Sequence, residues 1–222
     1  MHWNLSPKEA IELQKKLRSQ VQLAPLKRQP KLIAGCDVSM NRFAKEGFAG
    51  FVVMTYPGLE VIEKAAIKDT IPMPYIPGLL SFREIPMLEK AWKKLKNKPE
   101  LILVDGIGIA HPRRLGIATH LGLLLDLPTT GCGKSVLYGT YQEPGLEPGS
   151  ISYMKDPKTG EVIGAALRTK LRSNPMFISP GHLITLEDSL EIVRNCLRGY
   201  RLPKPTRLAH LAVNEARKAD IY

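Results

Sequence analysis

Asp37 ends the apolar run Leu32-Ile33-Ala34-Gly35-Cys36, and Asp105 ends the run Leu101-Ile102-Leu103-Val104. A carboxylate at the end of a buried strand is costly to desolvate unless it is paired or binds a cation. If the two strands are neighbours, both carboxylates converge on one point, and oxygen ligands of that kind suit Mg²⁺. Taken singly, each aspartate also reads as a residue that starts a turn, Asp105 before Gly106 most of all. Glu84 follows Ser81 and Arg83 in the first turns of a predicted helix and by itself reads as an ordinary solvated residue.

Other segments could contact a ligand. Pro74-Tyr75-Ile76-Pro77-Gly78 is a stiff loop ahead of that helix, poor material for a strand or a helix. Such a rigid apolar wedge could unstack bases, or it could be a packed connection. In Asp105-Gly106-Ile107-Gly108-Ile109-Ala110, glycines would let backbone approach a ligand. His111-Pro112-Arg113-Arg114 follows, and the two arginines are expected to begin a helix, where anions also bind. Gly131-Cys132-Gly133-Lys134-Ser135 is not a P-loop, because Pro128 stands where that motif requires glycine. Lys134 could still place a point charge on a phosphate. His182 and His210 are isolated, and a lone histidine is more often structural than catalytic. Arg207, His210 and Asn214 share one helical face. His120 reads as a packing or surface residue.

The elements that must carry these residues follow from periodicity. Ser6 and Glu9 form a capping box with Pro7 in the first turn of an opening helix. Leu32–Val38, Gly50–Tyr56 and Leu59–Ala66 read as three strands of a meander, with Pro57-Gly58 as a turn. Leu79–Lys96 carries the helical stripe Phe82, Ile85, Leu88, Trp92 and Leu95. Leu101–Val104 is wholly apolar, as in a strand buried on both faces. A helix over Arg113–Leu125 and a strand over Thr129–Cys132 come next. Ile151–Met154 and Val162–Leu167 form a hairpin about Asp156-Pro157-Lys158-Thr159-Gly160. A strand over Met176–Ser179 and helices over Thr185–Leu197 and Thr206–Ala219 complete the chain. With no repeat or long linker, residues 1–222 are expected to form a single α/β domain, a mixed sheet with helices on both faces.

The 222 residues carry a formal net charge of +11, which favours a polyanionic partner through release of phosphate counterions. Three cysteines, Cys36, Cys132 and Cys196, lie far apart and suit no zinc site, so a reducing cytoplasm is expected. Neither an apolar signal core at the N-terminus nor a run long enough to span a bilayer is present, and no membrane association is expected.

Together the segments resemble endonuclease V, a nuclease family of the ribonuclease H-like fold. The resemblance rests on Gly35-Cys36-Asp37-Val38-Ser39, the run from Pro74 to Glu84 (PYIPGLLSFRE), Val104-Asp105-Gly106, the run from Ile109 to Ile117 (IAHPRRLGI), Gly133-Lys134-Ser135, Ser179-Pro180-Gly181-His182, Tyr200-Arg201-Leu202-Pro203 and the run from Thr206 to His210. These occur in family order and span almost the whole chain after Gly35. The resemblance implies that Asp37, Glu84 and Asp105 bind Mg²⁺, with Mn²⁺ expected to substitute, and that Lys134 and His210 join them in catalysis. It also implies that Pro74, Tyr75, Ile76 and Pro77 form a wedge, and that Gly78, Leu80, Gly106 and His111 receive an everted base.

The implied activity is a nick one nucleotide 3′ of a deaminated base, chiefly deoxyinosine, in DNA, by a monomeric enzyme. Two positions depart from the family pattern. Ile107 stands where a polar residue is common, and Met40 where an aromatic one is. Inosine-containing RNA as substrate, a junction resolvase of the same fold, and a nucleic-acid binder that does not cut are the alternative readings.

Overall fold

The computed structural model describes residue 3, residues 5–41 and residues 44–220. All eight described strands join in one sheet: β1 (Leu32–Ser39), β2 (Glu46–Thr55), β3 (Val61–Thr70), β4 (Leu101–Val104), β5 (Thr129–Gly133), β6 (Ile151–Lys155), β7 (Val162–Leu167) and β8 (Met176–His182). Their spatial order is β3-β2-β1-β4-β5-β8-β7-β6. The β1–β4 and β4–β5 pairs are parallel and all others antiparallel. This is the mixed α/β sheet expected from three leading strands followed by alternating helices and strands.

Helices cover both faces. α2 (Leu80–Lys94) and α3 (Ile117–Leu125) bury Ile85, Leu88 and Leu121 against Cys36, Phe51, Ile102 and Val104. On the other face, α4 (Leu186–Asn195) and α5 (Lys204–Ala219) bury Leu190, Val193 and Ala209 against Ile33, Leu101 and Leu103. Alternation along β1 and β4 decides this split, since successive side chains point to opposite faces. Each fully buried large side chain contributes about 1.5–3 kcal/mol of transfer free energy. α5 reaches β1 only because residue 35 is glycine. A Cβ there would lie 2.1 Å from the Pro205 carbonyl carbon and oxygen.

α1 (Pro7–Arg18) starts as its capping box predicts. Ser6 Oγ accepts from the Glu9 amide, and the Glu9 carboxylate accepts from the Ser6 amide. Its inner side packs Ala10 against Met73, Leu79 and Phe82.

Element bounds differ from expectation in several places. β2 begins at Glu46 rather than Gly50, because Glu46–Phe48 pair with Lys68–Thr70 on a longer β3, and pairing overrides weak strand propensity. β8 runs through Pro180 to His182, with its irregularity opposite Thr129 and Thr130. α3 begins at Ile117, not Arg113. Residues 108–116 are instead held as a turn by Gly116 N–H donating to Gly108 O at 3.0 Å, with Arg114 at φ 58°. Among the described residues, no helix is long and apolar enough to cross a membrane.

Candidate active site

β1 and β4 are parallel neighbours with Cys36 opposite Val104, so the next residue of each, Asp37 and Asp105, emerges at the same edge of the sheet. The Asp105 amide donates to the Cys36 carbonyl at 3.2 Å, extending the pairing by one bond. The alternation that points Gly35 at α5 also points Asp37 there. α5 answers with His210, whose Nδ1 lies 2.7 Å from Asp37 Oδ2.

One turn later, Asn214 places its amide nitrogen 3.1 Å from His210 Nε2 and donates to the His210 carbonyl at 2.8 Å. Ser39 donates its hydroxyl to Asn214 Oδ1 at 2.8 Å, which turns the amide NH₂ toward the imidazole. The hydrogen bonds therefore favour the tautomer with its proton on Nδ1, facing the carboxylate.

Asp37, Asp105 and His210 each offer one ligand atom, all within 4.8 Å of one another. Burial raises the Asp37 carboxyl above its usual range, and the neighbouring Asp105 adds to this. Hydrogen bonds from His210 and the Val38 amide oppose it. Glu84, from the first turns of α2, lies outside that three-residue group but feels it. Its carboxyl is pushed up to about 8, chiefly by burial and then by Asp37 and Asp105. Glu84 is partly buried rather than fully solvated as its local sequence suggests. Lys134, just past the end of β5, brings its Nζ to 2.5 Å from Asp105 Oδ2. The Lys134 carbonyl accepts from Arg201 Nη2 at 2.6 Å, while Arg201 also donates to the carbonyls of Asn174 and Pro175.

Beside the carboxylates opens a cavity of about 260 Å³ whose wall includes Asp105 and Lys134. Tyr75, Gly78, Leu80, Gly106 and His111 line it, with Ile107, Leu115 and Ile117 making it largely apolar. The Pro74–Pro77 segment divides. Tyr75 is 58% exposed at the cavity, whereas Ile76 packs inward on the Met73, Leu79 and Phe82 cluster. Pro74 and Pro77 are exposed and do not line the cavity. His111 Nδ1 accepts from the Arg113 amide at 3.0 Å, so Nε2 carries the proton and faces Gly78 O at 3.1 Å. Burial, with Arg113 beside it, lowers the His111 pKa to about 4, and the ring is neutral at neutral pH.

Arg113, Arg114 and Arg168 do not form a basic face. Arg113 is tied to Gln14 and Gly78. Arg114 is buried against Asp156 and Glu161, and Arg168 is buried with Glu143. His182 is buried and accepts the Gln22 amide at Nδ1, a structural placement. His120 packs edge-on to Phe82 at 5.0 Å, and burial drives its pKa to about 3, as expected for a packing histidine. Sequence reasoning missed Gln14, Ser39 and Arg201 as members of this assembly. Asn214 was visible only through its spacing from His210.

Comparison with known proteins gives one answer. Residues 15–211 match the family model for endonuclease V. A Gloeobacter violaceus endonuclease V is 49% identical over 223 aligned residues, covering 99% of this chain and 90% of that protein. A Methanothrix thermoacetophila endonuclease V is 44% identical, covering 94% and 91%. The crystal structure of Streptomyces avermitilis endonuclease V superposes with a TM-score of 0.92 at 35% identity, covering 99% of this chain and 96% of that one. Ciona intestinalis endonuclease V, in complex with a 24mer DNA containing an inosine followed by a ribo-adenosine, superposes with a TM-score of 0.85 at 27% identity, covering 96% and 98%.

Proposed function

The chain belongs to the endonuclease V family, and on that premise we propose that it is a Mg²⁺-dependent repair enzyme nicking DNA one nucleotide 3′ of a deaminated base, chiefly deoxyinosine. The observation that carries this reading is the convergence of Asp37, Asp105 and His210 beside a base-sized apolar cavity that shares Asp105 and Lys134 with them.

The donor set fits a divalent cation. Two carboxylates suit Mg²⁺ and Mn²⁺, and Glu84, outside that group but raised in part by the charges of Asp37 and Asp105, offers a third nearby. The chemistry Mg²⁺ supplies when bound is a water of lowered pKa and neutralisation of phosphate charge. Asp37 and Asp105 would hold the ion, with Glu84 losing its proton to join them. His210, oriented from both sides by Asp37 and Asn214, positions the water and takes part in proton transfer. Lys134 offsets charge that builds on the phosphate.

The cavity takes the everted base. A mispaired hypoxanthine costs less to flip than a paired base, which provides part of the selectivity. Tyr75, exposed at the mouth, serves as the inserting side chain of the wedge. The one-nucleotide offset comes from the family resemblance. A cavity wall that includes Asp105 and Lys134 supports a cut within reach of the bound base. Buried, unpaired Cys36, Cys132 and Cys196 support a reducing, cytoplasmic setting.

A second reading has one observation in its favour. The strand bound by the Ciona protein carries a ribonucleotide directly after the inosine. Here the preferred substrate would be inosine-containing RNA. A substrate panel separates the two: end-labelled duplexes with one deoxyinosine, with deoxyinosine followed by a ribonucleotide, and undamaged, plus an inosine-containing RNA. The proposal expects fastest cleavage of the first, with a single product mapping one nucleotide past the lesion. Cleavage confined to strands with ribose at or after inosine would establish the second reading, and equal cleavage of the undamaged duplex would refute both.

A further inference from the structure

Gln14 is polar, yet it is fully buried on α1, one residue before the stretch that matches the family model. Its partners come from distant parts of the chain. Nε2 donates to Gly78 O at 2.9 Å and to Leu115 O at 3.3 Å, and Oε1 accepts from Arg113 Nε at 2.5 Å. Both amide hydrogens and the oxygen are thus engaged. Gly78 and Leu115 lie on two separate segments that line the 260 Å³ cavity. We propose that Gln14 is a positioning residue for substrate specificity, tying the Gly78 wall of the cavity to the Leu115 wall and setting their separation before a base enters. The inference rests on the reading of this cavity as the base pocket.

The Gly78 carbonyl shows how strongly that wall is held. Besides Gln14, it accepts from Arg113 Nη2 at 2.8 Å and from His111 Nε2 at 3.1 Å. Arg113 and Gln14 also bond each other, so the two side chains and one carbonyl close a ring. Gly78 has φ 78°, and a Cβ there would lie 2.6 Å from Arg113 Nη2, so glycine admits both the backbone conformation and the guanidinium. One turn earlier on the same buried face of α1, Ala10 packs on Met73, Leu79 and Phe82, with Ile76 against the same cluster. α1 therefore braces the wedge segment twice, by apolar packing and through Gln14. Asp37 stands on β1 and Asp105 one residue past β4, and Gln14 bonds neither; Glu84 lies in the second turn of α2, which follows Gly78. Loosening the brace should change which base is held without disabling the phosphodiester chemistry.

Two variants of the full chain test this. Gln14→Glu keeps the shape and the acceptor for Arg113, but turns a carboxylate oxygen toward two carbonyls. Gln14→Met conserves volume and removes every hydrogen bond, and serves if the glutamate variant does not fold. Backbone hydrogen exchange is measured without substrate, together with kcat and KM on deoxyinosine and undamaged duplexes. The expected result is faster exchange confined to residues 76–80 and 113–118, and a KM for the deoxyinosine duplex raised about ten-fold with kcat little changed. Unchanged exchange in both segments overturns the proposal. So does a rise spread evenly over the sheet, or a fall in kcat at constant KM, since each marks a merely structural glutamine. If the wild type does not distinguish deoxyinosine from undamaged DNA, the base-pocket reading fails, and the exchange pattern alone decides whether Gln14 braces the two walls.

Discussion

His210 Nδ1 stands 2.7 Å from Asp37 Oδ2, although 173 residues separate the two in sequence. Three features bring them together: an aspartate near the C-terminal end of β1, a helix that crosses the strand, and a glycine at residue 35 that lets the helix approach. If the imidazole acts in proton transfer, His210→Ala lowers kcat on a deoxyinosine duplex by about a hundred-fold or more, while binding of the duplex changes little. Asn214→Ala, which removes the donor to Nε2 but leaves the ring, has a smaller effect. Single-turnover rates and a binding titration check both, and an unchanged rate in His210→Ala would remove the residue from the mechanism.

Gly35→Ala tests the approach of α5 to the sheet. The new methyl would meet Pro205 backbone at 2.1 Å, and backbone cannot yield as a side-chain tip can. Overpacking of this kind costs about 1–3 kcal/mol. The helix must shift away from β1, carrying His210 from Asp37. Thermal unfolding and nicking rate should both fall, the rate by more than partial unfolding explains. A variant destabilised but fully active when folded would show that the Asp37–His210 distance is not critical.

Glu84 predicts a pH dependence of stability in metal-free protein. Its pKa rises from an ordinary 4.5 to about 8 on folding, so the folded state holds the proton more tightly. The stability this contributes is fully present below 4.5 and is lost as pH rises through about 8. The melting temperature should therefore fall over that window in EDTA, and Glu84→Gln should flatten the fall. Some slope remains in the variant because Asp37 is also raised. A Glu84→Gln curve parallel to that of the wild type would mean that Glu84 is ionised in the metal-free protein.

Lys134 presents its charge at 2.5 Å from Asp105 and beside the cavity. Lys134→Ala should lower kcat by roughly a hundred- to a thousand-fold, the usual loss for removal of a group that stabilises developing oxyanion charge. Arg201→Ala, which frees the Lys134 carbonyl, should give a milder loss. Equal kcat in Lys134→Ala and wild type would assign the lysine to holding Asp105 alone.

Much of this site can be read from the chain. Asp37 and Asp105 stand out because each ends an apolar run, and short parallel strands bring such ends to one edge. Glu84 was recoverable only from the family run that contains it, since locally it resembles any polar helix residue. Gln14 and Arg201 carry no local signal, because their partners lie far away in sequence and no periodicity marks them. Arg113 and Arg114 mislead for a physical reason. A proline followed by two arginines suits a helix start, but the buried Arg114 pairs with Asp156 and Glu161 and the Gly108–Gly116 bond holds the segment as a turn. The Pro74–Pro77 segment was legible as a stiff loop, while the inward packing of Ile76 depends on α1 and could not be seen from the loop itself.

The most direct test of the account is a nicking assay with wild type and Asp37→Asn on an end-labelled duplex carrying one deoxyinosine, with Mg²⁺ or with EDTA. The account predicts one nick next to the lesion by the wild type with Mg²⁺, none in EDTA, and none by Asp37→Asn, which still binds the duplex. Nicking by Asp37→Asn at the wild-type rate, or nicking that persists in EDTA, would contradict it.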